Sequence, residues 1–371
     1  MLIARSVHPL PGEAERKERL LNLVYGFSSR RLLIVGDLIA DEFIYGDIAR
    51  VSREAPVLIL KYDATEILPG GAGNAANNVA ALGGKARLAG LVGADSEGRR
   101  LLAGFHRGVE RGSVVRAKQY RTPVKTRILA GGVHAARQQV VRIDRDADWP
   151  LAEGVSEAFA RKVAALTDAC DGVLLSDYGS GLVTPKLAAV IQRAVAKRAR
   201  RRPIPVLVDS RYRLLDYRGL TTCTPNESEV EQATGIRISG DDVHNAALER
   251  AGRLLLKKTR MQGVLVTRGS RGMALFQPKQ PTVHIPIFGS GEVADVTGAG
   301  DTVIATFGLA LAAGASLYEA AHLSNYAGGL VVKKRGTATV SSQELADAVE
   351  RDHDTSLENW SQEGPAQGRR S

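Results

Sequence analysis

The sequence predicts an α/β fold: a central, mostly parallel sheet with helices on both faces, plus a small β-sheet lid. Short apolar, β-branched runs recur along the chain as LLIVG (32–36), GVLLS (172–176), PVLVD (205–209) and GVLVT (263–267). Strands without polar alternation are buried on both faces, as in parallel sheets sandwiched by helices. Helical-period stretches at 151–167, 184–199 and 242–259 alternate with these runs. By contrast, 43–62 (FIYGDIARVSREAPVLILKY) and 116–143 turn strand-like and half-polar with no helix between, which predicts the lid.

The first thirty residues are polar and mixed in charge without sustained periodicity, so they read as an N-terminal extension to a domain spanning 31–350. Residues 351–371 are low in aliphatics and read as a mobile tail. A chain of 371 residues can bury a large core without bridges. Cys170 and Cys223 have no CxxC partner and read as reduced and structural. The longest mostly apolar stretch, Val303 to Ala315, is shorter than the roughly 20 residues that span a bilayer, and the N-terminus lacks the apolar run of a secretory signal. A cytoplasmic protein with no membrane partner is expected.

Fifty Lys and Arg against forty Asp and Glu give a net charge of +10, which favours anionic partners in general. The densest basic run, IQRAVAKRARRR (191–202), falls where a solvated helix would end, and cations there oppose the helix dipole. Aromatic residues make up only 5% and no stacking platform interleaves with the basic residues, so no nucleic-acid partner is expected. In RAKQYRTPVKTR (116–127), five cations and no acid can either meet a substrate phosphate or protect an exposed strand edge.

The strongest chemical signal is DVTGAGDTVIATF (295–307). Gly298, Ala299 and Gly300 open a helix, where free backbone N–H groups and the dipole can hold a phosphoryl group. Asp301, just beyond, can accept a proton from an attacking hydroxyl, while Asp295 is better placed to cap. Taken alone, a glycine-rich helix entrance with a dipole-stabilised Asp is an equal reading. PGGAGNAANNVAALGG (69–84) sets Gly70 and Gly71 before a second helix carrying Asn74, Asn77 and Asn78, more asparagine than capping requires. A polyhydroxylated ligand explains the surplus. Asp37 and Asp41 follow the first strand, where open α/β sheets place ligands. In TPNESE (224–229), Asn226 and Glu229 share a helix face and can hold Mg²⁺ through water or simply cap the helix. VTRGSRGMALF (266–276) can line a nucleotide or form a hairpin, and no Walker motif occurs.

Together, PGGAGNAANNVAALGGKARLAGLVG (69–93) and DVTGAGDTVIAT (295–306) resemble the two signatures of the ribokinase, or PfkB, family of carbohydrate kinases, and the likeness runs from Leu32 to Glu350. The resemblance implies a ribokinase-like fold, ATP as donor, Mg²⁺ as helper and a homodimer paired through its lids. It implies Asp301 as the base and the amides of Gly298, Ala299 and Gly300 as the anion hole. Asp41, Gly70, Gly71 and Asn74 would hold the sugar, Asn226 and Glu229 would serve phosphate and metal, and Thr267, Gly269, Gly272 and Asn325 would border the nucleotide.

Within the family, YGDIARVSREAPV (45–57), TPVKTRILA (122–130), LLSDYGSGLVTP (174–185), TPNESEVEQATG (224–235) and RGTATVSSQEL (335–345) are similar to the kinases that phosphorylate carbon 1 of D-glycero-β-D-manno-heptose 7-phosphate for ADP-heptose and lipopolysaccharide synthesis. Cations among Arg50, Arg53, Lys125, Arg127 and Arg142 would then meet the distal phosphate. Ser180 stands where that branch usually has Lys, and HAARQQVV (134–141) is longer than its pattern. No counterpart of the nucleotidyltransferase half found in fused members follows Glu350, so a kinase alone is expected. A kinase for another sugar or sugar phosphate remains open, as does a non-catalytic sugar-phosphate sensor or scaffold on the same fold.

Overall fold

Leu32, Leu33, Ile34 and Val35 are all fully buried, so neither face of the first strand meets water. Leu32 and Ile34 join one hydrophobic cluster and Leu33 and Val35 another, on opposite sides of the sheet. Consecutive residues of a strand point to opposite faces, so an unbroken apolar run builds both layers at once. The computed structural model describes residues 13–131, 137–147, 153–198, 203–238, 240, 245–289 and 294–352. The tail after Asp352, the end of the basic run at 199–202 and residues 132–136 of the expected lid lie outside the described residues.

In chain order the first half comprises α1 (Glu13–Tyr25), β1 (Arg31–Val51), β2 (Leu58–Gly71), α2 (Ala72–Ala81), β3 (Lys85–Gly93), α3 (Ser96–Ala103), β4 (Val109–Glu110), β5 (Val115–Ala117), β6 (Val124–Gly131), β7 (Gln138–Arg145) and α4 (Glu153–Leu166). The second half comprises β8 (Gly172–Asp177), α5 (Pro185–Arg198), β9 (Val206–Ser210), β10 (Thr222–Cys223), α6 (Glu227–Thr234), α7 (Ala246–Thr259), β11 (Gly263–Thr267), β12 (Met273–Phe276), β13 (Val283–Ile285), α8 (Ala299–Ala313), α9 (Leu317–Val331) and α10 (Ser342–Arg351). The main sheet runs β13-β12-β11-β10-β9-β8-β1-β3-β4, with β5 also on β3. It is parallel except at the β11–β12 and β12–β13 pairs.

A second sheet, β2-β1-β6-β7, forms the lid. One strand serves both: Arg31–Asp37 of β1 pair with β3, and from Leu38 onward β1 pairs with β2. The second lid segment differs from its expected bounds of 116–143. Val115–Ala117 continues the main sheet beside β3, and the lid strands begin at Val124 and reach Arg145.

The N-terminal extension also departs from expectation. Leu20, Leu23, Val24 and Phe27 are buried in the same cluster as α8 and α10. Their spacing makes one helical stripe, and burying each such side chain is worth about 1.5–3 kcal/mol, enough to dock α1 despite its charged outer face. Both cysteines are free and buried, and burial pushes the Cys170 thiol up to about 11. No helix among the described residues is long and apolar enough to cross a membrane.

Candidate active site

Parallel strands deliver their C-terminal residues to one edge of a sheet, and open α/β folds bind ligands there. Here β8 delivers Asp177 and Tyr178, β9 delivers Asp209 and Arg211, β10 leads to Thr224 and Asn226, and β11 ends at Thr267. With Asp41 of β1 and Asp301 of α8, these residues line a cavity of about 560 Å³.

The helix α8 starts at Gly298, whose φ of 77° is left-handed, a conformation that glycine adopts without strain. A Cβ there would stand 2.4 Å from the Asn74 amide nitrogen. The N–H groups of Gly298 and Gly300 have no backbone acceptor among the described residues, and both residues line the cavity. Ala299 corrects the expectation of three free amides, because its N–H turns back to Val296 O at 3.2 Å. Asp295 does not cap α8, whose N-cap Gly298 has no side-chain bond; it positions the turn before it, accepting the N–H groups of Thr297 and Gly336.

Asp301 is buried yet borders the cavity. Asn74 Nδ2 donates to its Oδ2 at 2.9 Å and the Tyr178 hydroxyl donates to its Oδ1 at 3.0 Å. Burial pushes its carboxyl up to about 7, with those two hydrogen bonds pulling the other way. A carboxylate poised near neutrality and fixed at both oxygens is suited to take a proton.

Asn74 was expected to hold sugar. It is instead 1% exposed, and its amide group is engaged by Asp301, by Gly298 O at 3.3 Å and by Asn78, so it positions the base and the helix entrance. The other asparagines are structural. Asn78 ties Asn74 to Thr302, and Asn77 bonds Gly104 and His106.

On the lid side, Asp41 lies in register between Leu68 and Lys125 and forms a buried ion pair with Arg127. Burial pushes the Asp41 carboxyl up, and the Arg127 guanidinium opposes that. Gly70 makes room: a Cβ there would fall 2.1 Å from Asp41 Oδ2. Gly71, Lys125, Arg127 and Arg142 line the cavity, but Arg142 is held by Asp144 at 2.9 and 3.1 Å. Arg50 and Arg53 are exposed and do not line it.

Asn226 and Glu229 form a reciprocal capping box at the start of α6, each side chain accepting the other's backbone N–H at 2.9 Å. Both still line the cavity, beside Asp209. Burial pushes the Glu229 carboxyl up, and burial with the charges of Glu229, Asp301 and Asp177 pushes Asp209 well up. No group of three or more metal-binding side chains occurs among the described residues. Mg²⁺ needs only one or two carboxylates beside its waters and substrate phosphates, and the surplus negative charge at Asp209 and Glu229 fits it.

Thr267 lines the cavity and bridges to Asn226. Gly269, Gly272 and Asn325 do not line it. Gly272, with φ of 77°, is demanded by the β11–β12 turn, where a Cβ would meet Ile285 O at 2.0 Å, and Asn325 donates to Pro286 O at 2.8 Å.

Tyr178, Asp209 and Arg211 were missed by sequence reasoning. Their signal was position: each stands at or just past the C-terminal end of a buried parallel strand. Asp37 fixes the first of these turns, its Oδ2 accepting the N–H groups of Tyr178 and Ser180 at 2.8 and 3.2 Å.

The pfkB family carbohydrate kinase profile matches residues 31–344. The chain is 42% identical over 326 residues to Bifunctional protein HldE of Geobacter metallireducens, covering 87% of this chain and 64% of that protein. It is also 42% identical over 336 residues to Bifunctional protein HldE of Caulobacter vibrioides, covering 88% and 65%. The chain thus spans less than two thirds of the length of these relatives. Among solved structures it resembles Arabidopsis thaliana ribokinase complexed with ribose and ATP, with a TM-score of 0.65, 21% identity, and 86% and 99% of the two chains covered. Escherichia coli phosphofructokinase-2 gives a TM-score of 0.65 at 18% identity, covering 86% and 98%. At these identities the structural likeness shows the ribokinase-like fold, and the family match covers most of the chain: the chain belongs to the pfkB family of carbohydrate kinases.

Proposed function

We propose that the protein transfers the γ-phosphoryl group of ATP to the carbon 1 hydroxyl of D-glycero-β-D-manno-heptose 7-phosphate, giving the 1,7-bisphosphate used to make ADP-heptose for lipopolysaccharide. The observation that carries the chemistry is Asp301, buried at the cavity wall, held at both oxygens and adjoining the free amides of Gly298 and Gly300. In this reading Asp301 takes the proton of the attacking hydroxyl as the oxygen approaches phosphorus in line. The Gly298 and Gly300 amides face the charge that spreads over the transferring group. Asp41, fixed by Arg127, and the bare backbone at Gly71 orient the sugar. Asp209 and Glu229 would hold Mg²⁺, which when bound offsets negative charge on the nucleotide phosphates.

The choice of sugar rests on the stretches at 45–57, 122–130, 174–185, 224–235 and 335–345. An assay of ADP release across hexoses, heptoses and their 6- and 7-phosphates tests it. The greatest kcat/KM is expected with heptose 7-phosphate. A greater value with another acceptor reassigns the substrate, and no turnover with any of them overturns the function.

The proposal includes a homodimer paired through the lids. Val51, Val57, Tyr62 and Ile143, all on the lid strands or the β1–β2 tip, are between 51% and 66% exposed, which is costly to leave in water. Sedimentation is expected to show a dimer that Tyr62→Glu shifts to monomer. A wild-type monomer at micromolar concentration would remove the dimer from the proposal.

A further inference from the structure

Glu227 is the first residue of α6, directly after the N-cap Asn226. Asn226, Ser228 and Glu229 line the main cavity, but Glu227 does not. Its carboxylate meets two arginines of the β11–β12 turn instead. Arg268 Nε donates to its Oε1 at 2.8 Å, and Arg271 Nη2 donates to its Oε2. The Arg268 side chain is wholly buried, while those of Glu227 and Arg271 are 16% and 27% exposed. Taking such charges out of water is costly. Two charge-assisted bonds on one carboxylate, placed at a helix N-terminus where the dipole also favours an anion, offset that cost.

The clamp joins two parts of the site whose backbone contact is thin. The β10–β11 ladder is two residue pairs long, and beyond it Thr267 N donates to Pro225 O at 2.9 Å and Thr267 bridges to Asn226. The turn itself is tight. Arg268 N donates to Gly272 O at 2.9 Å and Arg271 N to Arg268 O at 3.1 Å, so the two arginines are carried as one unit. Arg271 Nη1 also donates to Gly240 O at 3.0 Å, which ties the turn to the chain beyond the far end of α6.

We infer that Glu227, gripped by Arg268 and Arg271, is a positioning residue for the nucleotide: it locks the turn after Thr267 to the helix that carries Glu229. The inference rests on the kinase reading above and adds a residue that touches no substrate. Groups already ordered by the fold do not have to be ordered at the cost of binding, so the clamp raises nucleotide affinity without contacting the nucleotide. Its place in the sheet limits the effect to one substrate. The strand order β11-β10-β9-β8-β1 puts β11 four strand spacings, about 19 Å, from β1, so loosening the clamp leaves Asp41 in place.

The test compares wild type, Arg271→Gln, Arg271→Lys and Glu227→Gln. Calorimetry measures the binding of ADP with Mg²⁺ in the absence of acceptor, and steady-state kinetics follow with ATP and heptose 7-phosphate varied separately. In Arg271→Gln, Kd for ADP and KM for ATP are expected to rise about tenfold, the weight of one charge-assisted hydrogen bond. KM for the acceptor and kcat at saturating ATP should stay at wild-type values, and Arg271→Lys, which keeps the charge, should recover part of the loss. Glu227→Gln should weaken ADP further, because both bonds lose their anion. It also leaves the buried Arg268 facing a neutral amide, so its melting temperature should fall; if that chain does not fold, Arg271→Gln, on a partly exposed turn, decides alone. An ADP affinity in Arg271→Gln equal to wild type, or KM values for ATP and acceptor that rise together, overturns the inference and leaves the kinase reading standing. A wild-type protein that neither binds ADP nor turns over any acceptor overturns both.

Discussion

Asp301→Asn is expected to lower kcat by about a thousandfold, the usual weight of a positioned general base, while acceptor binding survives. The substitution keeps the shape of the side chain but removes its capacity to take a proton. The wild-type kcat/KM should climb with pH through about 7, where the carboxyl loses its proton, and the variant should lack that limb. The same titration acts on stability in the opposite direction. The folded carboxyl titrates at about 7 against an ordinary 3.8, so it is held protonated in the fold at pH values where the unfolded chain is ionised. Its contribution is therefore most favourable below about 4 and is lost progressively as pH rises to 7, by an amount on the order of a few kcal/mol. Stopped-flow or coupled ADP assays from pH 5 to 9, beside melting curves over the same range, measure both. Wild-type turnover in the variant, or an acid limb that persists in it, would falsify the assignment.

Gly298→Ala should damage both the fold and the chemistry. A non-glycine residue held at φ of 77° costs about 1–3 kcal/mol. The new methyl would also stand 2.4 Å from Asn74 Nδ2, and Asn74 cannot retreat without releasing Asp301. A shift of the base by about an ångström is enough to lower turnover by about a hundredfold. The control is Gly300→Ala, where an added Cβ meets nothing within 4 Å, so its melting temperature should match wild type. Equal melting temperatures for Gly298→Ala and wild type would show that this turn tolerates a side chain and that the strain argument is mistaken.

The parallel sheet was legible because its strands carry their signal locally: Val173, Leu174 and Leu175 are apolar whichever face they take. The GAGD turn was legible in the same local way as the entrance of a helix, which α8 confirms from Ala299 onward. What sequence did not show was partnership at a distance. Asn74 and Asp301 are 227 residues apart, and nothing in either motif says that the first supports the second rather than touching sugar. Lys125 of β6 and Arg211 just past β9 likewise come from distant segments, and their meeting at one cavity wall is a property of the folded surface. Helix α1 escaped notice for a different reason. Its buried stripe, Leu20, Leu23 and Val24, continued by Phe27 in the turn after it, is short and follows the highly charged segment EAERKER, which dominates any average over the window.

Because β1 runs unbroken for 21 residues from the heart of the molecule to the tip of the lid, the lid is cantilevered on that ribbon and not hung on a flexible joint. Any swing must flex the ribbon near Asp37 and Leu38, where its neighbours change from β3 to β2. Asp41 rides just beyond the bend, while Asp37 stays anchored below it to the Tyr178 turn. Asp41 and the Tyr178 turn therefore hang on one continuous strand, so in the proposed reaction a load placed on the first would be carried along the ribbon to the support of the second.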